Sequence, residues 1–349
     1  MIQDYLVKEH EFRPLKLARP LEPSPARPTQ RDSKNASTST TPRTAPTTFQ
    51  AVEELLEYAT QHWQQNFVTT SIHSAQVAEV LSRRPFFILI HVDAPLTIRY
   101  QRYQASTQQQ KGIVNGSSPP DGGLASFLER SEAHYYSPHT RLSTLASRAQ
   151  IQILNSGTSL DHFKSSLARL NLTDPARLRP TWDQYFMHLA SLAARRSNCM
   201  RRQVGCVLVR QNRVLSTGYN GTPRNLLNCT AGGCPRCNNS VTNAGGTSLS
   251  TCLCLHAEEN ALLEAGRERV GGEAVLYCNT CPCLTCSIKI VQVGIGEVVF
   301  SQSYYMDAEA AKIFEEAGVR LRQFSPPREG LVELGGDMQA EIGDGGTAG

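Results

Sequence analysis

The second half of this chain shows regular periods of hydrophobic and polar residues. Residues 181–197 (TWDQYFMHLASLAARRS) repeat apolar side chains at helical spacing, and Thr181 and Asp183 are candidates for the N-terminal cap. The apolar-rich segments 203–210 and 213–220 flank a two-residue Gln-Asn turn. This arrangement predicts a helix followed by a β-hairpin.

Helices and strands alternate beyond the hairpin. Helical periods occur in residues 256–266, 283–294 and 307–318, and strand-like runs occur in 273–279, 297–301 and 319–324. We therefore predict an α/β fold over residues 180–325, an α-β-α sandwich whose five-stranded mixed sheet carries helices on both faces.

The first half has a looser pattern of the same kind. Helical spacing is found in residues 51–65, 75–84, 125–137 and 160–172, and apolar strand-like runs are found in 85–94 and 149–156. These segments predict a smaller α/β domain at about residues 1–165. The tracts 20–49 and 106–123 have too few apolar residues to offset the entropy of ordering, so we expect them to be disordered. We also expect residues 326–349 to form a flexible tail.

Composition narrows the class of protein. A chain of 349 residues is long enough for two domains, and a hydrophobic content of 40% supports a sizeable core. A net charge of +4 gives little electrostatic reason to expect nucleic-acid or membrane partners. The N-terminus lacks a secretory signal, and no run reaches the roughly 18 apolar residues of a membrane span. We expect a protein of the cytoplasm, with the nucleus as an alternative.

The cysteines concentrate the candidate chemistry in the second half. All eleven lie between Cys199 and Cys286, and in a reducing compartment metal binding is a better explanation than disulfides. His256 opens one predicted helix, while Cys283 and Cys286 open the next, so the three supply zinc ligands and leave a fourth position for water. Glu258 is a poor fourth ligand and is well placed to transfer protons. A structural zinc ribbon is the alternative interpretation.

These four residues form the H-x-E…P-C-x-x-C signature typical of zinc-dependent nucleobase deaminases. Zinc lowers the pKa of a bound water to about 7, which makes it a nucleophile at neutral pH. Glu258 would then move protons between the water, the ring nitrogen of a cytosine and the departing ammonia.

The surrounding sequence resembles a narrower family. Residues 181–229, followed by LHAEENALL and TCPCLTCSIKIVQVGI, are similar to the deoxycytidylate (dCMP) deaminases, particularly the fungal ones. The resemblance covers about residues 180–325 and implies a fold of the cytidine-deaminase type. It further implies conversion of dCMP to dUMP for thymidylate synthesis, a homo-hexamer, activation by dCTP and inhibition by dTTP. In that family the GYNGTP loop, here Gly218–Pro223, helps to bind the nucleotide and its regulators.

Several residues are candidates for substrate contact. They are Asn220, Ala257, Thr222, Arg201 and Tyr304, with Arg202 and Arg224 as further phosphate donors. Asn220 lies between glycines, which let the backbone approach a ligand closely. A free nucleotide needs only a few cationic or amide donors for its phosphate. The alternative for each arginine is a solvated surface charge, and for Tyr304 it is a packing role.

A second, structural zinc is predicted among the remaining cysteines. Its candidate ligands are Cys199, Cys229, Cys234, Cys237, Cys252 and Cys254. Cys234 and Cys237 have a zinc-knuckle spacing, and Cys252 and Cys254 directly precede the helix that begins at His256. Four thiolates would pin the loop between residues 220 and 254, but the sequence does not determine which four.

The N-terminal half contains PFFILIHVDAPLTIRYQRY, residues 85–103, which resembles P-loop nucleotide kinases such as dephospho-coenzyme A kinase. The chain has no G-x-x-x-x-G-K-[ST] sequence to cradle phosphates, so kinase activity is not expected. We expect either a degenerate domain used for assembly or regulation, or a truncated start.

Two other functions remain as alternatives. A tRNA or single-stranded DNA deaminase would need a basic, aromatic-rich face beside the site. A zinc-stabilised interaction protein without activity would be expected to lack Glu258 or one of the zinc ligands, and all four are present.

Overall fold

A computed structural model describes residues 1–18, 46–111, 123–138, 142–157, 159–238, 252–303, 307–325 and 331–334. The chain forms two compact units. The first comprises Met1–Asp174 together with the C-terminal strand Leu331–Leu334, and the second comprises Pro175–Pro327. Within the described segments, every helix is too short or too polar to cross a bilayer.

The first unit contains short helices and two small parallel sheets. Its helices are α1 (Ile2–Glu9), α2 (Val52–Gln61), α3 (Ala75–Leu81), α4 (Leu96–Lys111), α5 (Leu124–Tyr136), α6 (Leu142–Arg148) and α7 (Leu160–Leu170). Its strands are β1 (Arg13–Leu17), β2 (Thr47–Phe49), β3 (Phe67–Thr69), β4 (Ile90–Asp93), β5 (Ile151–Asn155) and the C-terminal strand β11 (Leu331–Leu334). One sheet has the order β2-β1-β3 and the other has the order β11-β5-β4.

The structure differs from the sequence prediction in the tracts expected to be disordered. Residues 19–45 and 112–122 lie outside the described residues. The end of the first tract forms β2, which pairs with β1 in parallel, and the start of the second extends α4 to Lys111. The strand β2 depends on its pairing with β1, which lies much earlier in the chain.

The tail is the other difference in this unit. Residues 331–334 form β11 rather than a flexible segment, and β11 pairs in parallel with β5. Leu334 is buried and packs in one cluster with Ile153 and Leu167. A strand of four residues whose partner lies about 180 positions earlier leaves no local signal in the sequence.

The second unit is organised around one mixed sheet. Its helices are α8 (Trp182–Ala194), the short α9 (Pro235–Asn238), α10 (Ala257–Ala265), α11 (Leu284–Val293) and α12 (Asp307–Glu316). Its strands are β6 (Gly205–Arg210), β7 (Arg213–Tyr219), β8 (Ala274–Thr280), β9 (Glu297–Gln302) and β10 (Arg320–Gln323). The strand order is β10-β9-β8-β6-β7, with β6 antiparallel to both neighbours and β8, β9 and β10 parallel to one another.

The predicted hairpin is confirmed by its turn. Gln211 and Asn212 both have positive φ angles, 51° and 58°, as a two-residue turn of type I′ requires. The turn joins β6 and β7 in antiparallel register, with Arg210 opposite Arg213.

Alternating residues of β6 divide the core between the two faces of this sheet. Cys206 and Leu208 pack in one cluster with side chains from α10, α11 and α12. Val207 and Val209 pack on the opposite face against Phe186 and other residues of α8. Helices therefore cover both faces, which confirms the predicted α-β-α sandwich.

The two capping candidates have different roles. Thr181 caps α8, because its hydroxyl accepts a hydrogen bond from the Gln184 amide at 3.3 Å. Asp183 instead accepts two hydrogen bonds from Arg322 on β10, at 2.7 and 3.0 Å, and one from the Tyr277 hydroxyl on β8 at 2.9 Å. Asp183 thus connects α8 to the sheet through hydrogen bonds and does not act as the N-cap of the helix.

Candidate active site

The N-termini of α10 and α11 meet over the sheet. His256 is the N-cap residue of α10 and Cys283 is the N-cap residue of α11. Gly218 on β7 allows α10 to approach, because a Cβ atom there would lie 1.9 Å from the Ala257 carbonyl oxygen. The Glu259 carboxylate accepts a hydrogen bond from the His256 amide at 2.8 Å and also pairs with Lys289 on α11. The close backbone approach thus holds α10 against β7, and the ion pair joins α10 to α11.

Three side chains at this junction have the geometry of a metal site. His256 Nδ1 lies 3.3 Å from Cys283 Sγ and 3.4 Å from Cys286 Sγ, and the three ligand atoms lie within 4.8 Å of one another. One imidazole nitrogen and two sulfurs, converging in a site with an open side, are the donor set that catalytic zinc takes in deaminases. The residues that the sequence proposed as ligands therefore fit zinc.

Electrostatics favour the ligating form of Cys283. Hydrogen bonding with the Cys286 thiol, followed by interaction with His256, lowers the pKa of Cys283 to about 4. Thiolates bind zinc and thiols do not, and a helix N-terminus stabilises the negative charge. The surroundings of Cys283 thus favour the thiolate form that a metal ligand requires.

Glu258 lies beside these ligands and is nearly sealed from solvent, with 3% of its surface exposed. Burial raises the pKa of the Glu258 carboxyl, because the charged form loses hydration. A carboxyl group with a raised pKa binds a proton more readily than a solvated one, which suits a group that takes up and releases protons during a reaction.

The site opens into a cavity of about 830 Å³. Its lining includes His256, Ala257, Glu258, Cys283 and Asn220. The guanidinium-bearing residues Arg201, Arg202 and Arg236 also line it, together with Cys199, Cys237, Cys252 and Cys254. The cavity therefore joins a metal-ligand set and a proton-transfer group to a cluster of cationic side chains.

Asn220 lines this cavity, but its side chain also has a structural role. Its Oδ1 accepts a hydrogen bond from the Val204 amide at 2.9 Å, and its Nδ2 donates to the Arg202 carbonyl at 2.9 Å. These bonds fix the segment that carries the arginines. Each amide atom keeps one further hydrogen-bonding position that a ligand can use.

The other predicted substrate contacts divide into three groups. Arg201 and Ala257 line the cavity, and Arg201 Nη2 donates to the Arg236 carbonyl at 3.1 Å. Thr222 is not among the lining residues, and its buried hydroxyl has no hydrogen-bond partner among the described residues. Tyr304 lies outside the described residues.

Arg236 lines the cavity but was not predicted from the sequence. Arg224 was a candidate phosphate donor, but it is not among the residues that line the cavity. Arg236 lies on α9, between Cys234 and Cys237 in the sequence. Its position therefore depends on how these two cysteines of the cluster are held. Arg224 points elsewhere and pairs with Glu264 at 3.5 Å in an exposed contact. The zinc-knuckle spacing around Arg236 was the available signal, but a spacing does not show which way the intervening side chain faces.

The six predicted structural cysteines come together. Cys199, Cys229, Cys234, Cys237, Cys252 and Cys254 form a single cluster, and all are free thiols. Cys206 and Cys278, which lie outside this cluster, are fully buried in β6 and β8.

The fold and the site together define a zinc-binding deaminase of the cytidine and deoxycytidylate type. The family model for the cytidine and deoxycytidylate deaminase zinc-binding region matches residues 180–302. This stretch contains all four residues of the signature.

Relatives extend the match beyond that region. The deoxycytidylate deaminase of Schizosaccharomyces pombe is 48% identical over 289 residues, which cover 83% of this chain and 86% of that protein. The deoxycytidylate deaminase of Saccharomyces cerevisiae is 46% identical over 291 residues, covering 81% of this chain and 88% of that protein. The deoxycytidylate deaminase of Mycobacterium phage D29 is 43% identical over 125 residues, covering 35% of this chain and 95% of that protein. The chain belongs to the deoxycytidylate deaminase family.

Proposed function

We propose that the protein hydrolyses dCMP to dUMP and ammonia, with His256, Cys283 and Cys286 as zinc ligands and Glu258 as the proton-transfer group. The observation that carries the proposal is the convergence of His256 Nδ1 and both sulfurs beside a buried carboxyl group, at the edge of an arginine-lined cavity. The names of the fungal relatives support the choice of dCMP.

The chemistry of the site follows from these positions. Zinc, when bound, supplies a water that is acidic enough to act as a nucleophile at neutral pH. Glu258 takes a proton from the water and delivers it to N3 of the cytosine ring as C4 is attacked. Glu258 then passes the second proton to the amino group, which leaves as ammonia. Burial of the carboxyl keeps bulk water from competing for these protons.

We assign recognition of the nucleotide to the polar residues that line the same cavity. Arg201, Arg202 and Arg236 supply positive charge for one phosphate, and guanidinium groups pair well with phosphate oxygens. Asn220 holds the segment bearing Arg202 and offers its remaining amide positions to the sugar. This compact charge suits a mononucleotide better than a polynucleotide, which would need a long basic groove.

We further propose that dCTP activates and dTTP inhibits the enzyme, in a homo-hexamer, through the loop Gly218–Pro223. The loop is bonded to the beginning of α10 and to the residue that precedes His256. Gly221 pairs with Leu255 immediately before His256, and Asn260 Nδ2 on α10 donates to the Tyr219 carbonyl at 3.0 Å. A nucleotide that moved this loop would therefore displace the start of α10. At least one structural zinc among the six clustered cysteines completes the proposal.

The test is ammonia release from purified protein given dCMP, CMP, dCTP or deoxycytidine, with single-stranded DNA and tRNA as further substrates. We expect rapid turnover of dCMP, with little from the nucleoside that lacks the phosphate. Faster release from single-stranded DNA or tRNA than from dCMP would overturn the substrate assignment.

Regulation is tested separately, at a dCMP concentration below the KM. We expect dCTP to raise and dTTP to lower the rate, and light scattering to report a hexamer. A rate that neither nucleotide changes would reject the regulatory part and leave the catalytic part standing.

A further inference from the structure

The six-cysteine cluster contains two complete sets of four metal ligands. One set is Cys199, Cys229, Cys237 and Cys254, and the other is Cys234, Cys237, Cys252 and Cys254. In each set the four sulfurs lie within 4.8 Å of one another. The two sets share Cys237 and Cys254, so every one of the six sulfurs belongs to at least one set.

The separations between sulfurs match those of tetrahedral zinc. A Zn–S bond of about 2.3 Å in a regular tetrahedron places neighbouring sulfurs about 3.8 Å apart. The shared pair, Cys237 and Cys254, is separated by 4.0 Å. Cys199 lies 3.9 Å from Cys237 in the first set, and Cys252 lies 3.6 Å from Cys237 in the second. Cys234 completes the second set at 3.7 Å from Cys252.

We propose that this cluster binds two zinc ions, with Cys237 and Cys254 bridging them and the other four cysteines as terminal ligands. A single ion would use one set and leave two cysteines as thiols in a crowded, largely buried group. Two ions use all six. This inference goes beyond the proposed function, because it concerns a site separate from His256, Cys283 and Cys286.

Disulfides do not explain the cluster. All six cysteines are free, and Cys237 and Cys252, whose sulfurs are 3.6 Å apart, are well beyond the roughly 2.05 Å of a disulfide bond. The cluster is also arranged as a network with shared members rather than as three separate pairs.

Hydrogen-bond donors lie beside the Cys229 sulfur, as they do beside the sulfurs of metal–thiolate centres. The Met200 amide lies 3.5 Å from Cys229 Sγ, and Asn238 Nδ2 lies 3.6 Å from the same sulfur. Such second-layer donors orient thiolate ligands and stabilise their charge.

Charge around the cluster is complementary to the bound state. Binding two Zn²⁺ converts six thiols to thiolates and releases their protons, which leaves the centre with two net negative charges. Arg201, Arg202 and Arg236 border the cavity that four of these cysteines also line. Arg236 is held between two ligands, Cys234 and Cys237, so the cluster fixes one of the proposed phosphate donors as well as the segment before His256.

The first experiment is the zinc content of full-length, metal-replete protein, measured by plasma mass spectrometry against amino-acid analysis. We expect about three zinc ions per chain, one in the active site and two in the cluster. A His256→Ala variant should lose one ion and keep the two in the cluster, which separates this proposal from the assignment of the catalytic site. Two ions in the unsubstituted protein, or fewer, would overturn the binuclear cluster.

Substitution of single ligands distinguishes shared from terminal cysteines. Cys229→Ser and Cys234→Ser, which belong to different sets, should each lower the content from three ions to two. Cys237→Ser should lower it to one, and the matched control Cys206→Ser, a buried cysteine outside both sets, should keep three. If either Cys229→Ser or Cys234→Ser left the zinc content unchanged, one tetrahedral ion would explain the cluster and the proposal would fail.

Replacement of zinc by ¹¹³Cd gives a measurement that needs no variant. Two cadmium signals in the range of four-sulfur sites, coupled to each other through bridging sulfurs, are expected beside one signal from the active site. One four-sulfur signal, or two without coupling, would contradict shared ligands.

Discussion

Glu258 combines burial with proximity to the proposed metal ligands, and both properties support the proton-transfer role proposed for it. With 3% of its surface exposed, its carboxyl group has a raised pKa because the ionised form is poorly hydrated. The neighbouring Glu259 has a different role, since it caps α10 and pairs with Lys289. Of these two adjacent glutamates, Glu258 is the one proposed for proton transfer and Glu259 is the one that positions the helix, and their different surroundings are what distinguishes them.

We expect Glu258→Gln to lower turnover of dCMP by about 10²-fold or more while zinc content is retained. The amide keeps the shape of the side chain but cannot accept and release the proton. Steady-state ammonia release and zinc analysis on the same sample test this prediction. Glu264→Gln, a substitution of an exposed glutamate on the same helix, is the control and should keep normal activity. Turnover of the Glu258 variant within a few-fold of the parent would refute the proton-transfer role.

At the residue scale, the proposed ligands can be found from the sequence because the chemistry needs specific residue types at short spacing. His256, Glu258, Cys283 and Cys286 come from two local motifs, and the fold brings the motifs together. The sequence did not predict that Arg236 lines the cavity, nor that the Asn220 side chain binds the backbone of Val204 and Arg202. Both depend on backbone groups that approach only after the cysteine cluster and the loop have folded.

Among the elements, α10 is positioned by a close backbone approach to β7. At Gly218 an added Cβ would meet the Ala257 carbonyl at 1.9 Å and the Ala261 amide at 2.6 Å. Both atoms belong to the helix backbone, so they cannot turn aside as a flexible side chain would. The start of α10 carries His256, and any shift of the helix moves that ligand away from Cys283.

We therefore expect Gly218→Ala to lower dCMP turnover by at least about tenfold, since displacements near 1 Å can cost that much or more. The melting temperature should also fall. Gly272→Ala, where an added Cβ meets nothing within 4 Å, is the matched control and should behave as the parent. A Gly218→Ala protein with normal turnover and normal zinc affinity would show that α10 tolerates the displacement.

The contact of α8 with the sheet has a pH dependence of its own. Hydrogen bonds from Arg322 lower the pKa of Asp183 below its usual value, so folding favours the ionised carboxylate. Stability from this contact is therefore fully present above the unfolded pKa of about 3.9, and it is lost as the pH falls through the lower, folded pKa.

Asp183→Asn tests this contact. Loss of a charge-assisted bidentate pair should destabilise the deaminase unit by about 1–2 kcal/mol at pH 7. In a unit of this size the melting temperature would fall by about 2–8 °C. The gap between variant and parent should narrow as the pH is lowered below about 4. Glu309→Gln, at an exposed site on α12, is the control. An equal gap at pH 7 and pH 3 would assign the loss to something other than the Asp183 charge.

Elements with strong local patterns were predicted, whereas elements that depend on distant partners were missed. The β6–β7 hairpin and the helices α8, α10 and α11 have clear periods and local caps. Strands β2, β3 and β11 contain only three or four residues each, and β11 pairs with a strand in the first half of the chain. Helix α4 is rich in glutamine, and contacts such as Arg102 Nη2 with the Gly157 carbonyl, at 2.8 Å, help to hold it.

At the scale of the whole molecule, the residues proposed for catalysis and binding all belong to one of the two units. All the proposed ligands, Glu258 and the cavity arginines lie within Pro175–Pro327. The structure also shows where the chain can be truncated to obtain the second unit alone. A cut after residue 165 would divide α7, and retention of β11 would leave it without β5.

The last prediction is that a protein of residues 175–327 deaminates dCMP without the first unit. It retains the complete five-stranded sheet and the hydrophobic clusters on both faces of that sheet. It also retains every residue proposed for zinc binding at the active site, for proton transfer and for phosphate binding. Its turnover should be within about tenfold of that of the full chain, and each protein should be compared with and without dCTP and dTTP. A changed response to these nucleotides would assign regulation or assembly to the first unit. A soluble, zinc-loaded fragment that released no ammonia under any of these conditions would mean that the first unit completes the active site.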